Sequence, residues 1–533
     1  MSTKPRNSPR PRLSAMGRQL LGRTAVALLL STGLIAAWAS SSSSSPARTS
    51  SAAPVHGGHL VFARIADIET LDPTVAVDNP SIWADEQIYQ TLYTVAANGR
   101  GTVPWLATGF RVSANKLTWT FTLRSGIEFS NGQPLTSADV KFSIDRARTS
   151  KSGLGYIDAN IASVSAPSPH TVVIKTVRPW APLLADLALY VNGIVPNHFG
   201  GTSATAFFQH PVATGPFELG TWVHGQSLTL VRNPHYWQPG KPYLDSVEFT
   251  VVPNANSRLL TLEGHQAQIV DAPPAPSVAS LKSMPGFFAG IFPSTEIVVA
   301  LPNEHFAPMA DVHVREAIAY AINQNAIVKA ILLGRGSRAN SILPSGVPYY
   351  NAANPGIKFN LAKAKSELAA SHYPHGFKLT FLSDSDYAEV AEVVQQELAP
   401  LGIKVSISTV PSSDLFVEQQ QFNYQLSIDN WTMDISDPSE YATYALDGTG
   451  GSYSFFTNYN NAHMTSLVEQ AATTLNTTQR ARLYNELQTF ADQQLPQIPL
   501  YYAPLIYGAS QKVHNFTVTP LGNYPLQNVW LSK

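Results

Sequence analysis

One stretch of the chain has the pattern of a helix that stops at a glycine and continues at once as a strand. Apolar residues recur at helical spacing over 388–401, and Gly402 suits the left-handed turn that ends many helices. From Ile403 onward, apolar and polar residues alternate, which is typical of a half-buried strand. A helix that returns directly into a strand is the unit of an α/β fold, so this stretch predicts an α/β lobe.

Other segments favour the same fold class. Residues 118–123, TWTFTL, alternate as a strand. Thr136 and Asp139 have the spacing of a capping box and predict that a helix begins there. An apolar stripe over 314–333 predicts one continuous helix that ends at Gly334. The elements alternate along the chain, and we therefore expect α/β architecture throughout.

The length of the chain requires more than one core. Domains usually hold about 100–200 residues, so 533 residues predict two or three lobes. Hydrophobic residues make up 44% and charged residues only 13%, which is the balance of a folded chain and not of a disordered one.

Charge and cysteine content exclude several classes of protein. The first 39 residues carry six Lys and Arg and no acid, so the remaining body is mildly acidic and a poor match for nucleic acid. The chain has no cysteine. This excludes disulfides, Cys-type metal sites, thiol catalysis and a lipid-modified cysteine anchor.

The N-terminus has the pattern of an export signal. A basic stretch ends at Arg23, and the apolar run 24–39 that follows is shorter than the roughly 20 residues of a membrane span. The run ends in Ala37-Trp38-Ala39, which matches a small-x-small cleavage site. We predict a signal peptide over 1–39, a Ser-rich linker over 40–55, and a protein that is periplasmic or lies at the outer face of the cytoplasmic membrane. The alternative is an uncleaved N-terminal anchor.

Sequence patterns of catalysis are missing. The chain has no HExxH and no GxSxG, and GRGS at 334–337 lacks the end of a phosphate-binding loop. His372 and His375 are interpreted as a surface turn, and 384–386 as a solvated loop. The sequence therefore predicts a protein that is not an enzyme and has no cofactor and no metal site.

The segment 429–441, DNWTMDISDPSEY, combines acids, a Trp and a Tyr with no Lys or Arg. A tryptophan beside a carboxylate suits an organic cation, because the ring offers its π face and the acid a charge-assisted hydrogen bond. The alternative is a polar loop with one core tryptophan.

Several motifs, taken in order, resemble the peptide/nickel family of extracytoplasmic solute-binding proteins, the binding components of ABC importers. They cover the chain from Gly57 to about Thr519. They are GGHLV (57–61), TLDP (70–73), IYQTL (88–92), TWTFTLRSGIEFSNGQPLTSADV (118–140), HPVATGPF (210–217), VRNPHYW (231–237), VREAIAYAIN (314–323) and the Trp431…Asp437-Pro438 segment.

The resemblance implies a two-lobed, hinged α/β fold of the periplasmic-binding-protein type, with an extra domain inserted in lobe one. The ligand would lie in the cleft between the lobes. The implied division is lobe one at 56–95, 211–300 and 500–533, the extra domain at 96–210, and lobe two at 301–499.

The resemblance also implies a binding site. In peptide binders of this family, the aspartate of a Trp-x-x-Asp pattern pairs with the ligand's α-ammonium group, and Trp431 and Asp434 match that pattern. Tyr156 falls where the extra domain reaches the cleft in relatives. The candidate ligand-binding residues are Asp434, Trp431, Asn430, Thr432 and Tyr156.

The implied function is capture of a small ligand by hinge closure and its delivery to the permease subunits of an ABC importer. A short peptide is the expected ligand, and a monomer without nucleic acid is the expected state. The alternatives are a nickel chelate, an oligosaccharide or an opine-like compound as the ligand, or a role as a ligand sensor.

Overall fold

The computed structural model describes residues 53–152, 154–449 and 454–533. The predicted signal peptide and nearly all of the predicted linker lie outside the described residues. Within the described part, no helix has both the length and the apolar character needed to cross a membrane.

The strands are numbered along the chain. They are β1 (His59–Arg64), β2 (Tyr93–Val95), β3 (Thr102–Pro104), β4 (Ala107–Val112), β5 (Thr118–Leu123), β6 (Ile161–Ser168), β7 (Thr171–Thr176), β8 (Phe217–Val223), β9 (Ser227–Arg232), β10 (Ser246–Val251), β11 (Ile269–Asp271), β12 (Phe287–Phe292), β13 (Ile297–Pro302), β14 (Ser337–Arg338), β15 (Lys378–Ser383), β16 (Lys404–Thr409), β17 (Leu426–Trp431), β18 (Ile498–Tyr502), β19 (Leu505–Ser510), β20 (Val513–His514) and β21 (Trp530–Leu531).

The α-helices are numbered in the same way. They are α1 (Asn79–Ile88), α2 (Ser137–Thr149), α3 (Leu183–Asp186), α4 (Ala204–Phe207), α5 (Ala255–Glu263), α6 (Ser277–Ser283), α7 (Ala307–Ala310), α8 (Val312–Ala321), α9 (Gln324–Ala330), α10 (Leu361–Ala370), α11 (Ala388–Leu398), α12 (Ser412–Gln420), α13 (Ser439–Ala445), α14 (Ala462–Thr473) and α15 (Thr477–Gln494).

Three larger sheets organise the described residues. Sheet I has seven strands in the order β12-β19-β11-β1-β10-β9-β8, and sheet II has six in the order β14-β18-β13-β17-β15-β16. Sheet III has four strands in the order β4-β5-β7-β6. Sheets I and II mix parallel and antiparallel pairs, for example β1 parallel to β10 and β13 antiparallel to β17. Helices pack on these sheets, which confirms the expected α/β class.

The sheets draw on separate parts of the sequence. Sheet I uses strands from 59–64, 217–292 and 505–510, sheet III uses strands from 107–176, and sheet II uses strands from 297–502. Strands β13 and β18 each run a few residues past the limits set for lobe two. The assignment of these ranges to lobes and an extra domain stays a prediction.

Sheets I and II are joined by two short crossings of the chain. One runs from the end of β12 at Phe292 to the start of β13 at Ile297, and the other from Tyr502 to Leu505. The crossings are hydrogen-bonded to each other, because the backbone N–H of Ala503 donates to the carbonyl of Glu296 at 3.2 Å. The Ser294 hydroxyl donates to the carbonyl of Ala503. Two adjacent, short crossings are the form that a hinge requires.

The helix–glycine–strand unit has the predicted form. Helix α11 continues as one turn of 3₁₀-helix over Ala399–Leu401, and Gly402 follows in the left-handed region with φ of 76°. A Cβ on Gly402 would come within 2.8 Å of the carbonyl oxygen of His375. Glycine is therefore required here by both conformation and space. Strand β16 begins two residues later.

The predicted helix over 314–333 is wrong as a single element. It is divided into α8 and α9, and the break lies at Ile322 and Asn323. The Asn323 side chain accepts a hydrogen bond from the backbone N–H of Ala326 and so caps α9, while its own N–H donates to Glu397 at 2.8 Å. The apolar stripe continues through the break, and for that reason periodicity alone does not reveal it.

The interpretation of 384–386 as a solvated loop is wrong for Asp384, whereas Ser385 is exposed and Asp386 is half-buried in a turn. The Asp384 side chain is 2% exposed. It accepts hydrogen bonds from the Ser412 hydroxyl at 2.6 Å and from the backbone N–H of Asp386 at 3.0 Å. Asp384 thus joins the end of β15 to the start of α12. The predicted capping box is present, since Asp139 accepts from the backbone N–H of Thr136 at 2.7 Å.

Candidate ligand-binding site

A cavity of about 40 Å³ lies beside the two crossings, where sheets I and II face each other. Helix α1 and the segment 520–523 supply one side of its wall. The segment 188–190 adds to that side, and the crossing residues Ser294 and Thr295 lie at its base. The other side is the segment 432–434, which follows β17 of sheet II. Residues from both halves of the structure thus meet around one partly open space.

The described wall of the cavity carries two carboxyl groups and no basic side chain. Among the described residues that line it, Glu86 and Asp434 are acids, and there is no Lys, Arg or His. Asp434 therefore lies in the wall, as does Thr432, and these two candidates stand where a ligand between the sheets would contact them.

The loop that carries Asp434 is fixed by several contacts. The backbone N–H of Met433 donates to the Thr295 hydroxyl at 3.0 Å. The Glu440 carboxylate accepts from the backbone N–H groups of Asp434 and Ile435 at 3.0 and 2.9 Å. The loop is therefore tied both to the crossing and to the first turn of α13, which holds the Asp434 backbone in one place.

A buried ion pair fixes the far end of the same loop. Two nitrogens of the Arg480 guanidinium donate to the two carboxylate oxygens of Asp437, at 2.6 and 2.8 Å. The Arg480 Nε donates to the carbonyl of Ala471 at 2.7 Å. Both side chains are almost fully buried. A paired, bidentate contact of this kind gives the loop a defined geometry.

The Asp434 carboxyl has no cationic partner among the residues that the structure describes. Burial raises its pKa to about 7, and a hydrogen bond with Glu440 opposes part of that rise. Burial also raises the pKa of Glu440 well above its usual value, and the charge of Asp434 adds to the effect. Because burial disfavours the ionised form of both groups, a cation placed beside them would be held strongly.

Two tyrosines lie near this pair of acids. Tyr156 belongs to a 3₁₀-helix, Gly155–Asn160, and the side chain is 46% exposed. The pKa of its hydroxyl is raised, first because surrounding protein atoms desolvate the hydroxyl and second because of the charges of Glu440 and Asp434. The pKa of Tyr190 is raised by burial and then by Asp434. Tyr156 is therefore within electrostatic reach of Asp434 and Glu440, but it is not among the residues that line the cavity.

Trp431 and Asn430 have other surroundings. The Trp431 side chain is 4% exposed, and its ring lies 4.5 Å from that of Tyr444 and 5.6 Å from that of Phe455, measured between centroids. The Asn430 amide donates to the hydroxyl of Tyr387 at 2.6 Å. Neither residue lines the cavity. Trp431 lies in the core, whereas Asn430 is half-buried and held by Tyr387.

Sequence reasoning missed several residues of the wall. Glu86 and Asn79 lie on α1, Tyr190 follows α3, and Thr295 lies in a crossing. Each stands far from the 429–441 segment along the chain. Glu440 is inside that segment. Its position six residues after Asp434, across a turn, is the sequence feature that could have indicated a contact between the two.

A second group of polar side chains lies away from the cavity. His313 and Glu316 on α8 and Glu367 on α10 have donor atoms within 4.8 Å of one another, a spacing that suits a metal ion. The Nδ1 of His313 is 2.9 Å from Glu367. His372, predicted to lie in a surface turn, pairs with Asp311 at 2.9 Å and is 91% exposed.

Comparison with known proteins gives the family. Residues 101–453 match the model of the bacterial extracellular solute-binding proteins, family 5, middle. A probable D,D-dipeptide-binding periplasmic protein, DdpA of Escherichia coli K12, is 29% identical over 480 residues, which is 87% of this chain and 92% of that protein.

Solved structures agree with this match. The periplasmic binding protein DppA of Helicobacter pylori in complex with the peptide STSA has a TM-score of 0.75 and 25% identity, covering 90% of this chain and 99% of that one. AgaA of A. tumefaciens R10 in complex with agropinic acid has a TM-score of 0.74 and 25% identity, covering 89% and 99%. The family match spans well over half of the sequence, and the fold agrees with it. The chain belongs to family 5 of the bacterial extracellular solute-binding proteins.

Proposed function

We propose that this protein captures a short peptide outside the cytoplasmic membrane, binds the peptide's α-ammonium group with Asp434, and delivers the peptide to an ABC importer. The similarity to DdpA and to the peptide complex of DppA supports a peptide as the ligand. Solute binding itself follows from membership of the family.

The observation that carries the proposal is the presence of two carboxyl groups in the cavity wall without a basic side chain beside them. Glu86 and Asp434 face a space between the two sheets, and the wall described here contains no basic side chain. An unpaired buried carboxylate is costly, so the site gains most from a ligand that brings a cation. A ligand without a cation leaves the carboxylate unpaired and binds more weakly, and this difference makes the site selective.

Binding would proceed by closure about the two crossings. A peptide first meets one side of the open cleft, and the other side then moves in to complete its contacts. The loop 432–438 moves as part of sheet II because Glu440 and Arg480 brace it within that half. Closure removes water from around Asp434 and strengthens its interaction with the ammonium group. No covalent step is involved.

The remaining assignments follow from this role. Residues 56–95, 211–300 and 500–533 form lobe one, 96–210 the extra domain and 301–499 lobe two. Asp434, Thr432 and Tyr156 contact the ligand, while Trp431 and Asn430 support the loop from below. The protein acts as an exported monomer whose closed form is recognised by the permease subunits.

Calorimetric titration with a matched pair of peptides tests the proposal. One peptide has a free amino terminus and the other is N-acetylated. We expect acetylation to weaken binding to the unmodified protein by roughly 30- to 1,000-fold, because the Asp434 carboxylate then loses its cation. In Asp434→Asn, the free peptide should bind about as weakly, and acetylation should have little further effect.

Asp245→Asn is the control, since the Asp245 side chain is 65% exposed and lies outside the cavity wall. It should bind both peptides like the unmodified protein. Equal binding of free and acetylated peptide to the unmodified protein would show that Asp434 does not bind the amino terminus. Mass spectrometry of ligands that co-purify with the protein separates peptides from chelates, oligosaccharides and opine-like compounds.

A further inference from the structure

A second cavity of about 400 Å³ opens beside the first. The two share five wall residues, which are Glu86, Val95, Ala188, Tyr190 and Asn523. The rest of its wall comes from α1, β2, β3 and the C-terminal segment 519–528, with further residues around Trp237. None of the described residues of sheet II lines it. We name it the side chamber.

The side chamber has the size and lining of a small-molecule site. Ligand pockets usually enclose about 300–1,000 Å³ and are mostly apolar with a few polar groups. Its aromatic residues include Tyr89, Trp105, Trp237 and Tyr524. Such walls suit the aliphatic stem of a long side chain, and their π faces also attract a cation.

The one basic residue in the described wall is already engaged. The Arg124 guanidinium lies 4.9 Å from the ring centroid of Trp237, and its Nε donates to the carbonyl of Trp105 at 2.6 Å. Arg124 therefore lies flat against one wall. Within the described part of the chain, Arg124 forms no ion pair with Asp85 or Glu86, the two acids of the side chamber.

Glu86 stands at the junction of the two cavities. One carboxylate oxygen accepts a hydrogen bond from the Asn523 amide, and the other has no hydrogen-bond partner among the described residues. Burial raises the pKa of Glu86 to about 8. The junction thus presents a carboxyl group with a spare acceptor and no cation beside it.

We propose that the side chamber receives a side chain of the bound peptide and that Glu86 selects side chains that end in a cation, such as lysine or ornithine. This inference rests on the proposed function. The ligand's amino terminus binds at Asp434, its side chain enters beside Tyr190, the stem lies against the aromatic wall, and the terminal cation meets the Glu86 carboxylate.

The protonation state of Glu86 provides a second way to test the proposal. In the unliganded protein at pH 7 the carboxyl is mostly protonated, because its pKa is about 8. A cationic side chain favours the carboxylate and so lowers that pKa. Binding of a basic peptide should therefore release about one proton that binding of a neutral peptide retains.

Titration with two tripeptide series tests the inference. One series has lysine at the first, second or third position, and the other has norleucine, which keeps the stem and lacks the ammonium group. We expect one lysine peptide to bind roughly 10- to 100-fold more tightly than its norleucine partner. Glu86→Gln should remove that preference, whereas Glu69→Gln, a change of an exposed acid in the same half, should keep it.

Titrations in buffers of different ionisation enthalpy measure the released proton in the unmodified protein, so the test does not depend on Glu86→Gln folding. Equal affinity for both series, with no difference in proton release, would overturn the role of Glu86. In that case free-amino peptides would still bind more tightly than acetylated ones, and the proposed function would stand. If no peptide of either series binds, both proposals are wrong.

Discussion

The two sides of the cavity hold their acids in different ways. Asp434 lies on an irregular loop, whereas Glu86 lies on the regular helix α1. The loop depends on a few specific contacts, chiefly those of Glu440 and Arg480. The helix is held by its own backbone hydrogen bonds and by the burial of residues such as Ile82 and Trp83.

The difference bears on how each side tolerates change. The position of a helical residue is determined by many small contributions, so the loss of one contact moves it little. A loop residue whose geometry depends on a few contacts, one of them a buried ion pair, has less reserve. We therefore expect large effects from single changes around Asp434 and small effects from changes around α1.

The largest effect is expected at Arg480. Arg480→Met leaves the Asp437 carboxylate buried without a cationic partner, and breaking a buried pair from one side costs about 3–5 kcal/mol in the free energy of unfolding. Denaturant unfolding measures it. Arg482→Met is the matched control, because Arg482 lies on the same helix and is exposed, and a change of less than about 0.5 kcal/mol is expected there.

Asp437→Leu combined with Arg480→Met separates the lost charge pair from lost packing. Replacing both partners of a buried pair with apolar residues is often close to neutral, so the double variant should recover most of the stability. If Arg480→Met is as harmless as Arg482→Met, the loop does not depend on this pair and the comparison with α1 fails.

The two sides of the cavity also differ in how much of each could be predicted from the sequence. Asp434 was predicted because Trp431 and Asp434 match the Trp-x-x-Asp pattern of the family that the chain resembles. Glu86 and Tyr190 could not be predicted, because they reach the cavity only through the packing of sheet I against the crossings. A motif within one segment can identify the site residues of that segment. It gives no information on residues that are distant in sequence and that folding brings together.

The same limit explains what was misjudged about individual residues. Trp431 was expected in the site because it precedes Asp434 by three residues. In the structure it ends β17, and its ring lies in the core beneath the loop. Neighbouring residues of a strand lie on opposite faces of the sheet. Which of the two faces borders the ligand depends on how the rest of the protein packs on that sheet, and the strand's own sequence does not show it. The α/β class and the strand patterns, which depend on local periodicity, were predicted correctly.

A change of pH is expected to have an intermediate effect on the affinity for peptides. Asp434 must be ionised to bind an ammonium group, and its pKa in the unliganded protein is about 7. The affinity for a neutral-side-chain peptide should therefore fall about tenfold per pH unit below 7. Above about 8 the peptide's own α-amino group loses its proton, and the affinity should fall again.

Titration between pH 5 and 9 measures this profile. Glu440, Tyr156 and Tyr190 face Asp434, and Asp186 acts on Glu440, so each contributes to the observed midpoint. In Asp434→Asn the decline on the acid side should disappear. If that decline persists in the variant, another of these groups controls binding and Asp434 is not the acid that the ammonium group meets.

The smallest effect is expected on the helix side, at Asp78. Its carboxylate caps α1 by accepting a hydrogen bond from the backbone N–H of Ser81 at 2.8 Å. Asp78→Ala removes this cap and should cost about 1 kcal/mol in the free energy of unfolding, which is typical of a lost N-cap. Asp78→Asn keeps an acceptor oxygen and should restore most of the loss. Affinity for peptides should change by less than threefold in either variant, because the rest of α1 still positions Glu86. A loss of stability as large as that of Arg480→Met would mean that the helix, like the loop, depends on a few specific contacts.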